Sequence, residues 1–236
     1  MQKFLDRIAG FIPAKLSGRL DYRSHHMRFF FPYGGPMNGQ TARLEIVREI
    51  IEYCGVNRII ETGTYRGTTT EWFSSFNIPV LSFEVIPRFA EFSRRRLRKR
   101  PHVQIKTSNS VEGLKNLTAS ASDIILFYLD AHWYDYLPLR DEYALIQEKF
   151  PRSIIIVDDF KVPTDTDYTY DDYGADMQLT LEYMESAFMT KPSVFFPAVK
   201  AKWETGQRRG TVIVTTDASL AKIIESKINL LAKWPL

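Results

Sequence analysis

An α/β fold, with a mostly parallel sheet covered by helices on both faces and finished by a C-terminal antiparallel hairpin, is predicted by three features of this sequence. Short apolar runs alternate with helix-like segments between Arg58 and Phe160. Several of those runs are continuously apolar, as in strands buried on both faces. Farther on, "SVFFPAV" and "GTVIVTT" are separated only by "KAKWETGQRR". That connection is too short for a helical crossover, so the two runs should pair antiparallel.

The bulk properties set the limits. A chain of 236 residues is long enough for one sizeable core. With 44% hydrophobic and 25% charged residues it has an ordinary globular balance. A net charge of +3 is too small to imply a nucleic-acid partner by itself. Cys54 is the only cysteine, which excludes an intramolecular disulfide and a cysteine-based zinc site and fits a reducing cytoplasm. No run approaches the roughly 18 apolar residues of a membrane span.

The elements follow in order. "MQKFLDRIAGFIPAKL" spaces Phe4, Ile8 and Phe11 like one face of a helix, while Asp6 and Arg7 argue against a signal peptide. This stretch is expected to pack on the domain, or on a second subunit of a homodimer, in preference to a membrane surface. Residues 21–40 mix aromatic residues with Gly and Pro and read as irregular. Residues 1–40 are therefore taken as an N-terminal helix with an irregular lead-in or lid, and 41–236 as the main domain. Leu44, Val47, Ile51 and Cys54 share a helical face, and Gly55 is placed to end that helix. "RIIET" is the first strand, and "TTTEWFSSF" begins a helix with hydroxyl caps available. "VLSFEV" is the second strand, and "RFAEFSRRRLRKR" is a helix stopped by Pro101. "VQIKT", "IILFYLD" and "SIIIVDDF" are the third, fourth and fifth strands.

In a Rossmann-like sheet of this kind the ligand sits beyond the carboxyl ends of the strands, beside the first one. There the sequence reads "RIIETGTYRGTTTEWF". A dinucleotide turn needs a second glycine so that the backbone can approach a pyrophosphate, but Tyr65 stands between Gly63 and Gly67. Glu84 ends the second strand about 20 residues later, where a carboxylate can hold both ribose hydroxyls. A ribose without a pyrophosphate suggests S-adenosylmethionine. The plainer reading of Glu84 is a helix-capping or solvated carboxylate.

These residues resemble those of the class I S-adenosylmethionine-dependent methyltransferases, and more narrowly the metal-dependent catechol O-methyltransferase-like group. That group's E-x-G-x-Y-x-G-x-[ST] pattern is present as Glu61-Thr-Gly63-Thr64-Tyr65-Arg-Gly67-Thr-Thr69. "FEVIPR" is similar to its ribose-binding strand end, and "SNSVEGL" to the segment that reaches the adenine, with Ser110 at the matching position. "LDAHWYDY" looks like its L-D-x-H-W region, and "IVDDF" like the strand end carrying two more metal ligands. The resemblance runs from about Asn38 to Phe160 and implies cofactor contacts along these motifs, with Gln40, Asp130 and His132 among them. The later loop and the aromatic lead-in are looser matches to bacterial macrocin-type sugar O-methyltransferases.

The resemblance makes Asp130, Asp158 and Asp159 candidate metal ligands. If the fourth and fifth strands are neighbours they lie about 5 Å apart, and these carboxylates can share one ion. All-oxygen ligands with room for water suit Mg²⁺. The alternative is that "DD" merely caps the next element. The ion would lower the pKa of an acceptor hydroxyl and hold it in line with the sulfonium methyl. Members of the catechol type carry a lysine after the fourth-strand aspartate; here Ala131, His132, Trp133 and Tyr134 follow instead. His132 is one candidate base, with Asp135, Lys161 and activation by the ion alone as alternatives.

Three other stretches are weighed. "RRRLRKR" trails a surface helix and reads as a solvated face rather than an RNA site. His25 and His26 form an isolated pair and are taken as structural or exposed. Residues 161–178, acidic and aromatic, follow the fifth strand directly and read as a substrate lid in preference to a loose surface loop. The sequence thus points to a cytoplasmic, Mg²⁺-dependent O-methyltransferase acting on a small-molecule hydroxyl of a sugar, polyol or phenolic natural product. The rivals are metal-dependent oxidation on the same fold, as in relatives resembling cephalosporin hydroxylase, and a non-catalytic cofactor-binding module.

Overall fold

The apolar runs assemble into one sheet. The computed structural model describes residues 13–25, 32–132, 136–174 and 176–235. Five strands come first: β1 (Arg58–Thr62), β2 (Val80–Glu84), β3 (Val103–Thr107), β4 (Ile125–Leu129) and β5 (Ser153–Asp158). Three follow: β6 (Ser193–Pro197), β7 (Thr211–Thr215) and β8 (Leu231–Trp234). Their order across the sheet is β3-β2-β1-β4-β5-β7-β6-β8. The first five run parallel, and β7 turns antiparallel to β5 while pairing with β6 as the short connection requires.

Alternation along each strand decides which helices it meets. Ile59, Leu126, Tyr128, Ile156 and Ile213 bury against α2 (Thr41–Cys54) and α8 (Ala218–Lys227). Ile60, Phe127, Ile155 and Val157 face the other way, toward α5 (Ser110–Lys115), α6 (Leu139–Lys149) and α7 (Leu181–Glu185). Both faces of the sheet are therefore covered, as the continuously apolar runs predict. Gly55 ends α2 at φ 69°, a conformation that costs glycine nothing.

Three expectations are corrected. β8 was not anticipated, because "LAKW" is half-exposed at the sheet edge and is recruited by pairing with β6. The helix α3 (Thr68–Phe73) has Gly67 as its N-cap and no hydroxyl cap; Thr69 instead accepts from the Met37 amide (3.2 Å), and Thr70 donates to Glu61. The third concerns the lead-in, where α1 (Ala14–His25) carries helix into residues 21–25, which read as irregular. The Phe4, Ile8, Phe11 face and His26 lie outside the described residues.

Tertiary packing explains the last case. Helix α1 lies on α4 (Pro87–Arg96), with Tyr22 edge-on to Phe92 at 5.4 Å. Gly18 permits the approach, since a Cβ there would sit 2.6 Å from the Arg88 carbonyl oxygen. Asp21, buried on the same side, accepts from Arg66 (3.0 Å) and from Arg88 (3.0 Å). The basic run is partly structural as well: Arg94 donates to the Ile105 carbonyl and Arg96 pairs with Glu71.

Candidate functional site

The first turn is shaped by close backbone contact. Gly63 N donates to Phe83 O (2.9 Å), and Asp130 N donates to Thr62 O (3.0 Å). Gly63 has φ 84°, and a Cβ on it would lie 2.2 Å from Asp130 O. Gly63→Ala is therefore expected to destabilise the fold by about 2 kcal/mol through steric clash and left-handed strain. Urea unfolding measures this; an unchanged midpoint would mean the turn is free to relax.

Beyond the parallel strand ends lies a cleft of about 340 Å³. The glycine turn lines it with Gly63, Thr64, Tyr65, Thr68 and Thr69, and Glu84 adds the end of β2. Asp130 and His132 follow β4, Asp158 and Asp159 end β5, and Tyr33, Gly35, Met37 and Asn38 close one side. Among the described residues, eight non-glycine residues have positive φ. Five of them, Tyr33, Met37, Asn38, Tyr65 and Asp159, line this cleft. Backbone strain concentrated in one place marks a site whose geometry is imposed by its surroundings.

Four residues expected to touch a cofactor do not line the cleft. Gln40 spends its amide on the Arg209 backbone, donating to the carbonyl (2.9 Å) and accepting from the N–H (2.6 Å). Glu61 lies beneath the turn, accepting from Ser82 (2.5 Å) and Thr70, and burial pushes its carboxyl up to about 8. Gly67 caps α3 and packs on Ser93. Ser110 opens α5 and is buried.

Glu84 is held at the cleft wall. One oxygen accepts from Tyr65 N (2.7 Å) and the other from Ile86 N (2.8 Å). Burial raises its pKa, and these backbone donors oppose the rise. Each oxygen keeps acceptor capacity toward the cleft, which suits a pair of vicinal hydroxyls.

The β4–β5 register, Leu129 opposite Val157, carries Asp130 level with Asp158. Adjacent residues nevertheless face opposite sides, and the two aspartates of "DD" part company. Asp158 points toward α2. It forms a buried ion pair with Arg43, accepts from Tyr128 OH (2.6 Å) and from Asn38 Nδ2 (3.3 Å), and receives the Asp159 amide (2.8 Å). Asp159, at φ 53°, turns into the cleft. Potential ligand atoms of Asp130, His132 and Asp159 lie within 4.8 Å of one another. The gathered set is thus Asp130, Asp159 and an imidazole, with Asp158 behind it.

His132 is clamped between carboxylates. Its Nδ1 lies 3.1 Å from Asp171 and 3.0 Å from Tyr173 OH, and its Nε2 lies 3.3 Å from Asp130. Burial alone would depress the imidazole pKa, but Asp130 and Asp171 outweigh it and push it up to about 10. The two carboxylates thus favour the protonated form of the imidazole. Burial raises the Asp130 carboxyl. Burial would raise Asp171 too, yet His132, Tyr173 and Arg209 hold it well below the usual carboxylate range.

Asp171 and Tyr173, which line the cleft, come from the 161–178 segment. Thr169 N donates to Arg208 O (3.0 Å), and Asp171 N to Asp159 O (2.9 Å). Arg209, on the β6–β7 connection, ties the 161–178 segment to the end of β5 by pairing with Asp159 (2.8 Å) and Asp171. Lys161 lies over the Tyr170 ring and does not line the cleft. Trp133, Tyr134 and Asp135 fall outside the described residues. Arg43, Arg209 and Asn38 were missed by sequence reasoning. An isolated arginine in a helix or connection carries no local mark of the carboxylate it will meet.

Glu142 of α6 is buried beside Ser110 and Thr62, and burial pushes its carboxyl up to about 7. Its folded pKa exceeds its unfolded value, so it costs stability as pH rises from about 4.5 through about 7. Glu142→Gln should therefore gain about 2 kcal/mol over wild type at pH 8 and little at pH 4. Parallel denaturant curves at the two pH values check it; equal gains at both would remove the titration from the account.

The layering and strand order define a Rossmann-like α/β fold, with the cleft at the switch point where such folds place a ligand. No family model and no curated protein matches the sequence. Solved structures do match the fold. An O-methyltransferase from Bacillus cereus in complex with SAH aligns with TM-score 0.55 at 15% identity, covering 89% of this chain and 94% of that one. The O-methyltransferase TomG from Streptomyces achromogenes, involved in tomaymycin synthesis and solved with SAM, aligns with TM-score 0.53 at 15% identity, covering 90% and 95%. The chain has the fold of these O-methyltransferases over nearly its whole length.

Proposed function

We propose that this protein is an S-adenosylmethionine-dependent O-methyltransferase acting on a small-molecule hydroxyl, assisted by a divalent cation. The observation that carries the reading is one cleft holding both Glu84, held for a diol, and the gathered Asp130, His132 and Asp159. The pattern from Glu61 to Thr69 adds support from the sequence. The fold that it shares with cofactor-bound O-methyltransferases agrees with it.

In this reading Glu84 grips the ribose, and Gly63, Thr64 and Tyr65 face the methionine part. The cofactor would supply an electrophilic methyl group, and the cation a Lewis acid for the acceptor oxygen. Asp130 and Asp159 would hold the cation, while Asp158 fixes Asn38 and the Asp159 backbone. His132, held at Nδ1 by Asp171 and Tyr173, places Nε2 3.3 Å from Asp130, beside the proposed cation. Mg²⁺ fits the carboxylates; the nearby imidazole extends the choice to Mn²⁺. Asp171, Tyr173 and Arg209 would close over the acceptor and exclude water. The buried thiol of Cys54 is compatible with a cytoplasmic setting, and no described helix is long and apolar enough to cross a membrane.

Conversion of S-adenosylmethionine to S-adenosylhomocysteine with sugar, polyol and phenolic acceptors tests the proposal. Product formed with Mg²⁺ or Mn²⁺ and lost in EDTA supports it. Oxidation of the acceptor without S-adenosylhomocysteine would favour the hydroxylase rival. The imidazole in the donor set is the feature that keeps that rival in view.

A further inference from the structure

Helix α1 is amphipathic in the wrong direction for a helix that only packs on its own domain. Its buried residues are Ser17, Gly18 and Asp21, and these face α4. Its two leucines lie on the opposite side, with Leu16 49% and Leu20 48% exposed. They are spaced i, i+4 and so form one ridge. Lys15, Arg19 and Arg23 are exposed around them. The end of the neighbouring basic run adds exposed Arg98, Lys99 and Arg100, with Arg98 donating to Tyr22 of α1 (3.2 Å). Two acidic groups beside it are already engaged: Asp21 is buried between Arg66 and Arg88, and Glu91 is shared by Arg19 and Arg95. A chain with a net charge of only +3 thus concentrates cations around an exposed apolar ridge.

We propose that this face is a docking surface for an anionic lipid bilayer. Charge complementarity selects the partner. A second copy meeting face to face would bring the two sets of cations together, which repel. Nucleic acid would use the cations but has no use for an aliphatic ridge. An anionic membrane interface uses both, taking the leucines at the acyl boundary and the arginines and lysines at the headgroups. Residues 1–12 carry a similar mixture in sequence, with Phe4, Ile8 and Phe11 beside Lys3, Asp6 and Arg7. The sequence alone favours packing on the domain. The structure gives that role to the small and acidic residues and leaves the leucines outside.

Co-sedimentation of the full chain with vesicles tests this. Binding is expected to phosphatidylcholine vesicles containing phosphatidylglycerol and not to phosphatidylcholine alone, and should fall about tenfold or more on raising the salt to about 0.5 M. Lys99→Glu with Arg100→Glu should reduce binding about tenfold or more. Leu16→Ser with Leu20→Ser should weaken it severalfold at low salt. Both pairs change exposed side chains, and wild-type melting temperatures would show that the fold is kept. Equal binding to neutral vesicles, absence of binding to anionic ones, or binding unchanged in both variants would overturn the proposal. So would duplex RNA displacing the vesicles with an affinity insensitive to the leucine changes, which would assign the patch to nucleic acid.

Discussion

Glu84→Ala is expected to weaken S-adenosylmethionine binding about a hundredfold, close to 3 kcal/mol. The side chain sits in the cleft wall with both oxygens oriented by backbone amides, 2.7 Å from Tyr65 N and 2.8 Å from Ile86 N. Charge-assisted hydrogen bonds to a diol are worth about 1.5–3 kcal/mol each, and one carboxylate can receive two. Pre-orientation means little ordering remains to be done on binding. Calorimetry on wild type and variant measures the loss, with Glu84→Gln falling between them because one acceptor survives. The variant also frees two backbone amides, so its melting temperature must be followed alongside. Equal affinity in a folded variant would remove Glu84 from the ribose.

Asp159→Ala is expected to lower kcat/KM about a thousandfold, near 4 kcal/mol of transition-state stabilisation, with cofactor affinity changed only severalfold. Asp159 is the aspartate of the pair that turns into the cleft and joins Asp130 and His132. If Asp159 holds the cation as proposed, its loss would remove most of the cation's hold on the acceptor oxygen. Mg²⁺ or Mn²⁺ should raise the melting temperature of wild type and leave that of Asp159→Ala nearly unmoved, a readout independent of turnover. Asp158→Asn separates the neighbours. It removes the charge facing Arg43, whose guanidinium is 2% exposed, so its first consequence is lost stability. Full activity of Asp159→Ala in excess chelator would show that the cluster does not hold the ion.

The sequence by itself determined the sheet, the turn and the position of the cleft. Strands buried on both faces must be continuously apolar, and each of β1, β2, β4 and β5 is buried along nearly its whole length. A glycine is demanded where backbone meets backbone, as at Gly63 against Asp130. Carboxylates at successive strand ends announce a polar cleft because parallel strands bring those ends together. These are local signals, each readable within a few residues.

Only the tertiary structure decided which polar residue does what. "DD" is symmetric as text, but strand alternation aims Asp158 at Arg43, 115 residues away, while the positive φ of Asp159 turns that residue into the cleft. Gln40 has the right chemistry for a cofactor contact, yet its amide is taken by the Arg209 backbone, 169 residues distant. Arg209 becomes the bridge between the 161–178 segment and Asp159 because β7 folds back against β5. β8 exists because β6 has an edge to pair, and α1 turns its leucines outward because Gly18 and Asp21 are what α4 can accept. Each outcome depends on partners far apart in sequence, whose meeting is settled by packing and charge pairing rather than by any local pattern.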